Sequence, residues 1–271
     1  MESRNPVLNR EFGQRQYATF HDAPPSNQTL QDMYDGPGRG AVDGRVMTLD
    51  DVVVKTGILF TILAAAAVAG WYVVQQAPAF MFVAAIAAFV IGMVVSVKRT
   101  TSPPLIMLYA ALEGFFLGGI SWWSQSYVEN ATHQPSNIVL QAVIGTMVAF
   151  GVMLALYKTG RLRATPRFQK MMMIAIISYL GIAVVSLIAS LFGVGGGWGF
   201  YGVGGLGLLL CAAGVGLAAF TLVLDFDMIE KGIAAGIPEQ ESWRASFGLM
   251  VSLVWLYLEL LRLLAILQGR N

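Results

Sequence analysis

Apolar positions in this chain do not alternate, and they do not recur on one face of a helix. They run continuously. Seven such stretches, about 52–74, 79–97, 105–127, 137–157, 171–193, 201–228 and 244–267, are separated by short polar breaks. An α-helix of about 20 apolar residues crosses about 30 Å of hydrocarbon, so the pattern predicts an all-α, polytopic membrane protein with seven transmembrane helices. The breaks carry turn chemistry: Gln75-Gln76-Ala77-Pro78, then Lys98-Arg99 ahead of Pro103-Pro104, then Glu129 to Pro135. GVGGGWGFYGVGG separates the fifth and sixth stretches, where glycine leaves open the point at which helix resumes. Residues 1–47 are polar, with Pro24, Pro25 and Pro37. They cannot bury a core and are expected to form a disordered cytosolic tail, with 48–271 as the membrane domain. Thr48, followed by Asp50 and Asp51, is the expected start of the first helix. Lys55 is expected to snorkel towards the headgroups.

Composition sharpens this picture. Hydrophobic residues make up 56% of the chain and charged residues 12%, against about 25% charged in soluble domains. The net charge of +1 offers no footprint for nucleic acid. A single cysteine, Cys211, cannot form an internal disulfide. Arg4, Arg10 and Arg15 are followed by no apolar core, so no signal peptide is expected.

The placement of positive charge predicts orientation. Five arginines precede the first stretch. Lys98 and Arg99 follow the second; Lys158, Arg161, Arg163, Arg167 and Lys170 follow the fourth; Lys231 and Arg244 flank the loop after the sixth. The loops after the first, third and fifth have no Lys or Arg. All basic connections thus fall on one side, which predicts a cytoplasmic N-terminus and an external C-terminus.

Charges inside the apolar stretches are the candidate chemistry, because an ionisable group in hydrocarbon is costly unless paired or hydrated. Glu113 lies mid-way along the third stretch, followed by Gly114 and Gly118-Gly119, small residues that admit a close neighbour. It reads either as a cation ligand or proton carrier, or as a paired structural carboxylate. Glu259 and Arg262 share one face of the seventh stretch, with Ser252 and Trp255 on roughly the same face. They read as a local ion pair, or as a latch whose arginine exchanges partners. Asp225 and Asp227 end the sixth stretch about 200° apart on an ideal helix, so they cannot both face one pore. Asp227, with Glu230 and Lys231 one turn later, reads as a solvated helix end. Asp225 is deeper and is the better candidate for a titrating gate. The only histidines, His21 and His133, lie outside the apolar stretches, and no nucleophile–base pair or metal cluster is apparent. Neither an enzyme nor a bound cofactor is expected.

Four segments carry a resemblance to a known family: MTLDDVVVKTG, YAALEGFFLGGIS, LVLDFDMIEKGIAAGIPEQESWRASFGL and VWLYLELLRLL. They span about 47 to 267 and resemble the Bax inhibitor-1 (transmembrane Bax inhibitor motif) family, in its bacterial branch with a long polar N-terminal tail. The resemblance implies seven helices with the last surrounded by the other six. It also implies a pH-sensitive cation leak, with Ca²⁺ as the permeant ion, in the bacterial inner membrane. Control by an aspartate pair and an arginine latch is implied as well. On this sequence the sixth-helix aspartate is Asp225 and the arginine is Arg262. The seventh-helix aspartate position falls on Ser252, which is a departure: either Asp227 or Glu259 substitutes, or this branch lacks the pH response. Glu113, Glu259 and Ser252 would then belong to the ion pathway or latch. The alternative is a non-channel regulator that binds and modulates a membrane protease or another stress-response partner. The oligomeric state is left open.

Overall fold

The computed structural model describes residues 45–269 apart from Trp198 and Val203; the expected tail, as far as Gly44, lies outside the described residues. Seven helices follow one another: α1 Leu49–Gln76, α2 Ala79–Lys98, α3 Pro103–Thr132, α4 Ile138–Lys158, α5 Pro166–Leu191, α6 Gly204–Ala234 and α7 Glu241–Gln268. All seven are long and apolar enough to cross a bilayer, and the chain is an all-α polytopic membrane protein. We call the end at which α1 begins the proximal face and the opposite end the distal face.

Local chemistry explains the helix ends. Thr48 and Asp51 form a reciprocal cap on α1: Thr48 Oγ1 accepts from the Asp51 amide at 3.2 Å, and Asp51 Oδ2 accepts from the Thr48 amide at 3.0 Å. This satisfies donors that a helix start otherwise leaves open. Thr165 caps α5 in the same way, accepting from the Phe168 amide at 3.2 Å, with Pro166 in the first turn, where a missing N–H costs nothing. The glycine-rich segment before α6 forms two 3₁₀ turns, Val194–Gly197 and Gly199–Gly202, entered through left-handed glycines at 193, 195 and 199. The helices run beyond their apolar stretches. α6 continues past the expected end at 228 because Asp227 and Lys231 support one another across a turn at 2.6 Å.

The helix α7 holds the central position expected of it. Half of its most apolar window is buried, against 17% in α1 and in α5. Its neighbours are α1, α3, α4 and α6, and α5 reaches it through Tyr179. α2 packs on α3, and its Ala88 and Val95 join the core cluster that includes Phe247, Met250 and Val254 of α7. The outer faces are apolar instead: Phe82, Ile86, Phe89, Ile177, Leu180 and Leu187 are each more than 60% exposed, which suits hydrocarbon rather than water.

The tightest crossing lies between α1 and α3. A Cβ on Gly114 would meet the Leu63 carbonyl, one on Gly118 the Ala67 carbonyl, and one on Gly70 the Phe115 carbonyl. In each case the obstacle is backbone, so glycine is required for this approach.

Two expectations are corrected at the proximal face. Lys55 does not snorkel outwards. It is buried at 9% exposure because Ser242 Oγ at 2.6 Å and Glu239 Oε1 at 3.1 Å receive its ammonium. Residues 45–47, which fall inside the expected tail, are held to the α6–α7 turn: Val46 pairs with Pro238 in an antiparallel bridge, and Met47 is 2% exposed in a cluster with Val52, Ile229 and Ala245.

The glycine crossing gives a direct prediction. Gly118→Ala is expected to cost about 2 kcal/mol, as overpacking does, and to lower the apparent melting temperature in detergent. Gly57→Ala and Gly181→Ala, where a Cβ meets nothing within 4 Å, are expected to leave it unchanged or raise it.

Candidate functional site

The intramembrane charges fall into three settings, two of them stacked along the contact between α6 and α7. The first lies nearer the distal face. Glu259 is 3% exposed. Its Oε1 accepts from Tyr179 OH at 2.8 Å and from Trp255 Nε1 at 3.2 Å, and Arg262 Nη1 donates to Oε1 at 3.4 Å and to Oε2 at 3.5 Å. Tyr201 OH donates to Tyr179 OH at 3.2 Å, and the Tyr201 ring lies 4.4 Å from Arg262 Cζ, within cation–π range. Gly214 of α6 makes room for the carboxylate: a Cβ there would stand 2.7 Å from Glu259 Oε2. The carboxylate therefore has two neutral donors, Tyr179 and Trp255, and a counter-ion, Arg262, that donates as well, which is what a buried charge requires.

The second setting lies nearer the proximal face and is built differently. Asp225 points from α6 towards α7, where an atom at the Gly248 Cβ position would lie 3.9 Å from its Oδ1. The Ser252 hydroxyl lies beside its carboxylate. Yet Asp225 Oδ2 is sealed from solvent and accepts no hydrogen bond. Arg262 does not reach it; it is about 15 Å farther along α7 than Ser252 by helical rise, and it is bound to Glu259.

A hydrophobic layer separates these two settings. Leu222, one turn from Asp225, and Leu256, one turn from Ser252 and from Glu259, are both 0% exposed. With Leu253 and Ala218 they belong to one packed cluster between α6, α7 and α4. Among the described residues no hydrogen bond joins the Asp225–Ser252 pair to the Glu259 network.

The remaining candidates are set apart. Asp227 faces the other side of α6, as its angular offset required. Its Oδ2 accepts from Gln169 of α5 at 3.0 Å and from Lys231 at 2.6 Å. It is therefore a tied helix position rather than a freely solvated end, and its neighbour Glu230 is held by Tyr157 OH of α4. Glu113 is the third setting. It faces Tyr109 on its own helix, whose ring packs edge-on against Phe247 at 5.0 Å, on a different face of α7 from Asp225. The structure thus brings Asp225 to Ser252 and Glu259 to Arg262, and leaves Asp227 and Glu113 apart from both pairs. Among the described residues no group of three or more His, Cys, Asp or Glu side chains could hold a metal ion.

A groove of about 490 Å³ opens between α1 and α4, floored by α3 and α7. It is mostly apolar, with the Ser121–Tyr257 hydroxyl contact at 2.6 Å and the hydroxyls of Tyr72 and Thr146 among its lining, and none of the acidic candidates lines it.

Residues 5–269 match the family described as Bax inhibitor 1 like. The chain belongs to that family. A comparison with curated proteins finds no match. In this Bax inhibitor 1 like protein, the two positions that the resemblance assigned to an aspartate pair, Asp225 and Ser252, are adjacent in space. The departure at Ser252 therefore sits inside the site itself.

Sequence reasoning missed Tyr179, Tyr201, Gln169 and the leucine layer. Tyr179 gave a usable signal, a phenol in the middle of an otherwise apolar stretch, which needs a polar partner when buried. Tyr201 gave none, because it lies in the glycine-rich connection.

The Glu259 network makes a stability prediction. Tyr179→Phe removes one donor and is expected to cost about 1 kcal/mol. Arg262→Met strands a buried carboxylate and is expected to cost about 2 kcal/mol, less than for a fully buried pair, because the Arg262 side chain is 34% exposed. The double variant Glu259→Gln/Arg262→Met is expected to recover most of that loss in melts followed by tryptophan fluorescence.

Proposed function

We propose that this protein is a pH-sensitive cation leak pathway, with Ca²⁺ as the ion, in the bacterial inner membrane, and that conduction follows the α6–α7 contact. The observation that carries this reading is the sealed, unpartnered oxygen of Asp225. A buried carboxylate that is fully satisfied, as at Glu259, is a structural element; one left with an open lone pair is a binding position awaiting a cation or a proton. Hard cations take oxygen ligands of this kind. Asp225 and Ser252 would form the proximal binding position, the Leu222–Leu256 layer the barrier, and Glu259 with Arg262 the distal latch. Hydrophobic constrictions of this sort gate channels by excluding water, so the arrangement described above corresponds to a closed state. Glu113 and Asp227 would bias the surrounding helices rather than line the route. The proximal face carries Lys98, Arg99 and the basic α4–α5 connection, which supports a cytoplasmic N-terminus and an external C-terminus. No catalysis and no resident cofactor form part of this role.

A second reading has one observation in its favour. Arg161, Arg163, Arg167 and Lys170 are all exposed at the proximal face, a cationic surface suited to an acidic partner such as a cytosolic segment of a membrane protease. In that case the protein would act by contact, and its vesicles would be tight.

Flux distinguishes the two. Purified protein in liposomes is expected to admit Ca²⁺ at a rate that changes between a mildly acidic and a mildly alkaline buffer. Asp225→Asn is expected to abolish that pH dependence. Leu222→Ala, which thins the barrier, is expected to raise the flux even though it costs about 3 kcal/mol of core packing. Flux that is indifferent to pH and to Asp225→Asn would contradict the gating role.

A further inference from the structure

The chain segment just before α1 is fastened to the turn between α6 and α7, the turn that joins the two helices of the proposed pathway. The Met47 amide donates to the Ile237 carbonyl at 2.8 Å, and the Glu239 amide donates to the Arg45 carbonyl at 2.8 Å. These two bonds bracket the antiparallel bridge between Val46 and Pro238. Side chains reinforce the backbone pairing. Arg45 reaches Asp51 at 3.4 Å and Glu239 at 3.7 Å. The buried Lys55 binds Glu239 and Ser242, and its Nζ lies 5.5 Å from the Trp243 ring centre. One turn farther on, buried Ser246 Oγ donates to the Val52 carbonyl at 3.1 Å.

A surface turn between two membrane helices has no structural need for an ammonium placed in its interior, since a buried ion pair rarely adds net stability over apolar packing. What such a pair provides is a specific and breakable register. Here it fixes the start of α7 against α1. Ser246 and Gly248 follow the fastening along α7 and lead into the Asp225–Ser252 position, so the fastening restrains α7 just before that level. We propose that Arg45–Met47, locked by Lys55, is an inhibitory strap that keeps the proximal end of the α6–α7 contact closed, and that its release opens the pathway. This rests on the leak reading above.

The bridge geometry supplies a reversible test. Val46 and Pro238 form the non-hydrogen-bonded pair of an antiparallel bridge, where Cα atoms come within about 4.5 Å, close enough for a disulfide. The full-length Val46→Cys/Pro238→Cys variant is compared with wild type for Ca²⁺ entry into liposomes, oxidised and then reduced; Cys211 is buried and stays in place. The oxidised form is expected to conduct at least several-fold less than the same sample after reduction. Lys55→Met is expected to raise flux about tenfold, the scale of one lost charge-assisted hydrogen bond. It is also expected to increase amide exchange at Met47 and Glu239 while α3 and α4 stay protected, which separates strap release from unfolding. If wild type conducts while the Val46→Cys/Pro238→Cys variant carries the same flux oxidised and reduced, the strap alone is overturned. Wild-type vesicles that stay tight would overturn the leak reading beneath it.

Discussion

A carboxylate taken out of water into an apolar bundle costs several kcal/mol unless the protein supplies donors or a counter-charge, and the α6–α7 contact meets that constraint in two opposite ways. At Glu259 it is met in full: two tyrosines, a tryptophan and an arginine are arranged around one carboxylate, and Gly214 yields the space. At Asp225 it is met only in part, with Ser252 alongside and one oxygen left without a partner. The first is an anchor that fixes α5, α6 and α7 together near the distal face. The second stores unsatisfied demand near the proximal face. The leucine layer keeps the two apart.

The rest of the fold serves to hold α7 where it can carry both. Gly70, Gly114 and Gly118 bring α1 and α3 into backbone contact, and that compact pair forms one wall around α7. α4 and α6 form the other wall, with Leu222 and Leu256 between them. The asymmetry is mechanical as well as chemical. The distal half is tied by side chains to α5, whereas the proximal half is tied by the segment before α1 and by Lys55. In the proposed leak pathway, a motion that opens one half would not have to disturb the other, and two-state elements of this kind are how small local changes become gating.

Much of this was legible in the sequence. Continuous apolar runs specify spanning helices whatever packs beside them, so the helix number, and the polar residues at the helix ends, followed from length and hydropathy alone. The i to i+3 spacing of Glu259 and Arg262 and the offset of Asp225 from Asp227 follow from helical geometry and reappear in the structure. What could not be read was partnership across helices. Nothing in the order of residues says that Tyr179 and Tyr201 converge on Glu259, that Gln169 binds Asp227, or that Leu222 and Leu256 lie between the two carboxylates. Lys55 is the instructive miss. Near a helix end a lysine usually reaches for the headgroups, and only the folded turn that presents Glu239 and Ser242 reverses that preference. The family resemblance, counted back from Arg262, put the seventh-helix aspartate position at Ser252; only the structure shows that Ser252 lies against Asp225.

In the proposed pathway Asp225 is the group whose charge state changes while Glu259 stays satisfied. Infrared difference spectroscopy on the protein in lipid, recorded between acidic and alkaline buffer, addresses this directly. The expected result is a carboxyl band that changes with pH, is lost in Asp225→Asn and persists in Glu259→Gln. A band that survives Asp225→Asn and disappears in Glu259→Gln would contradict it and move the titrating group to the distal network.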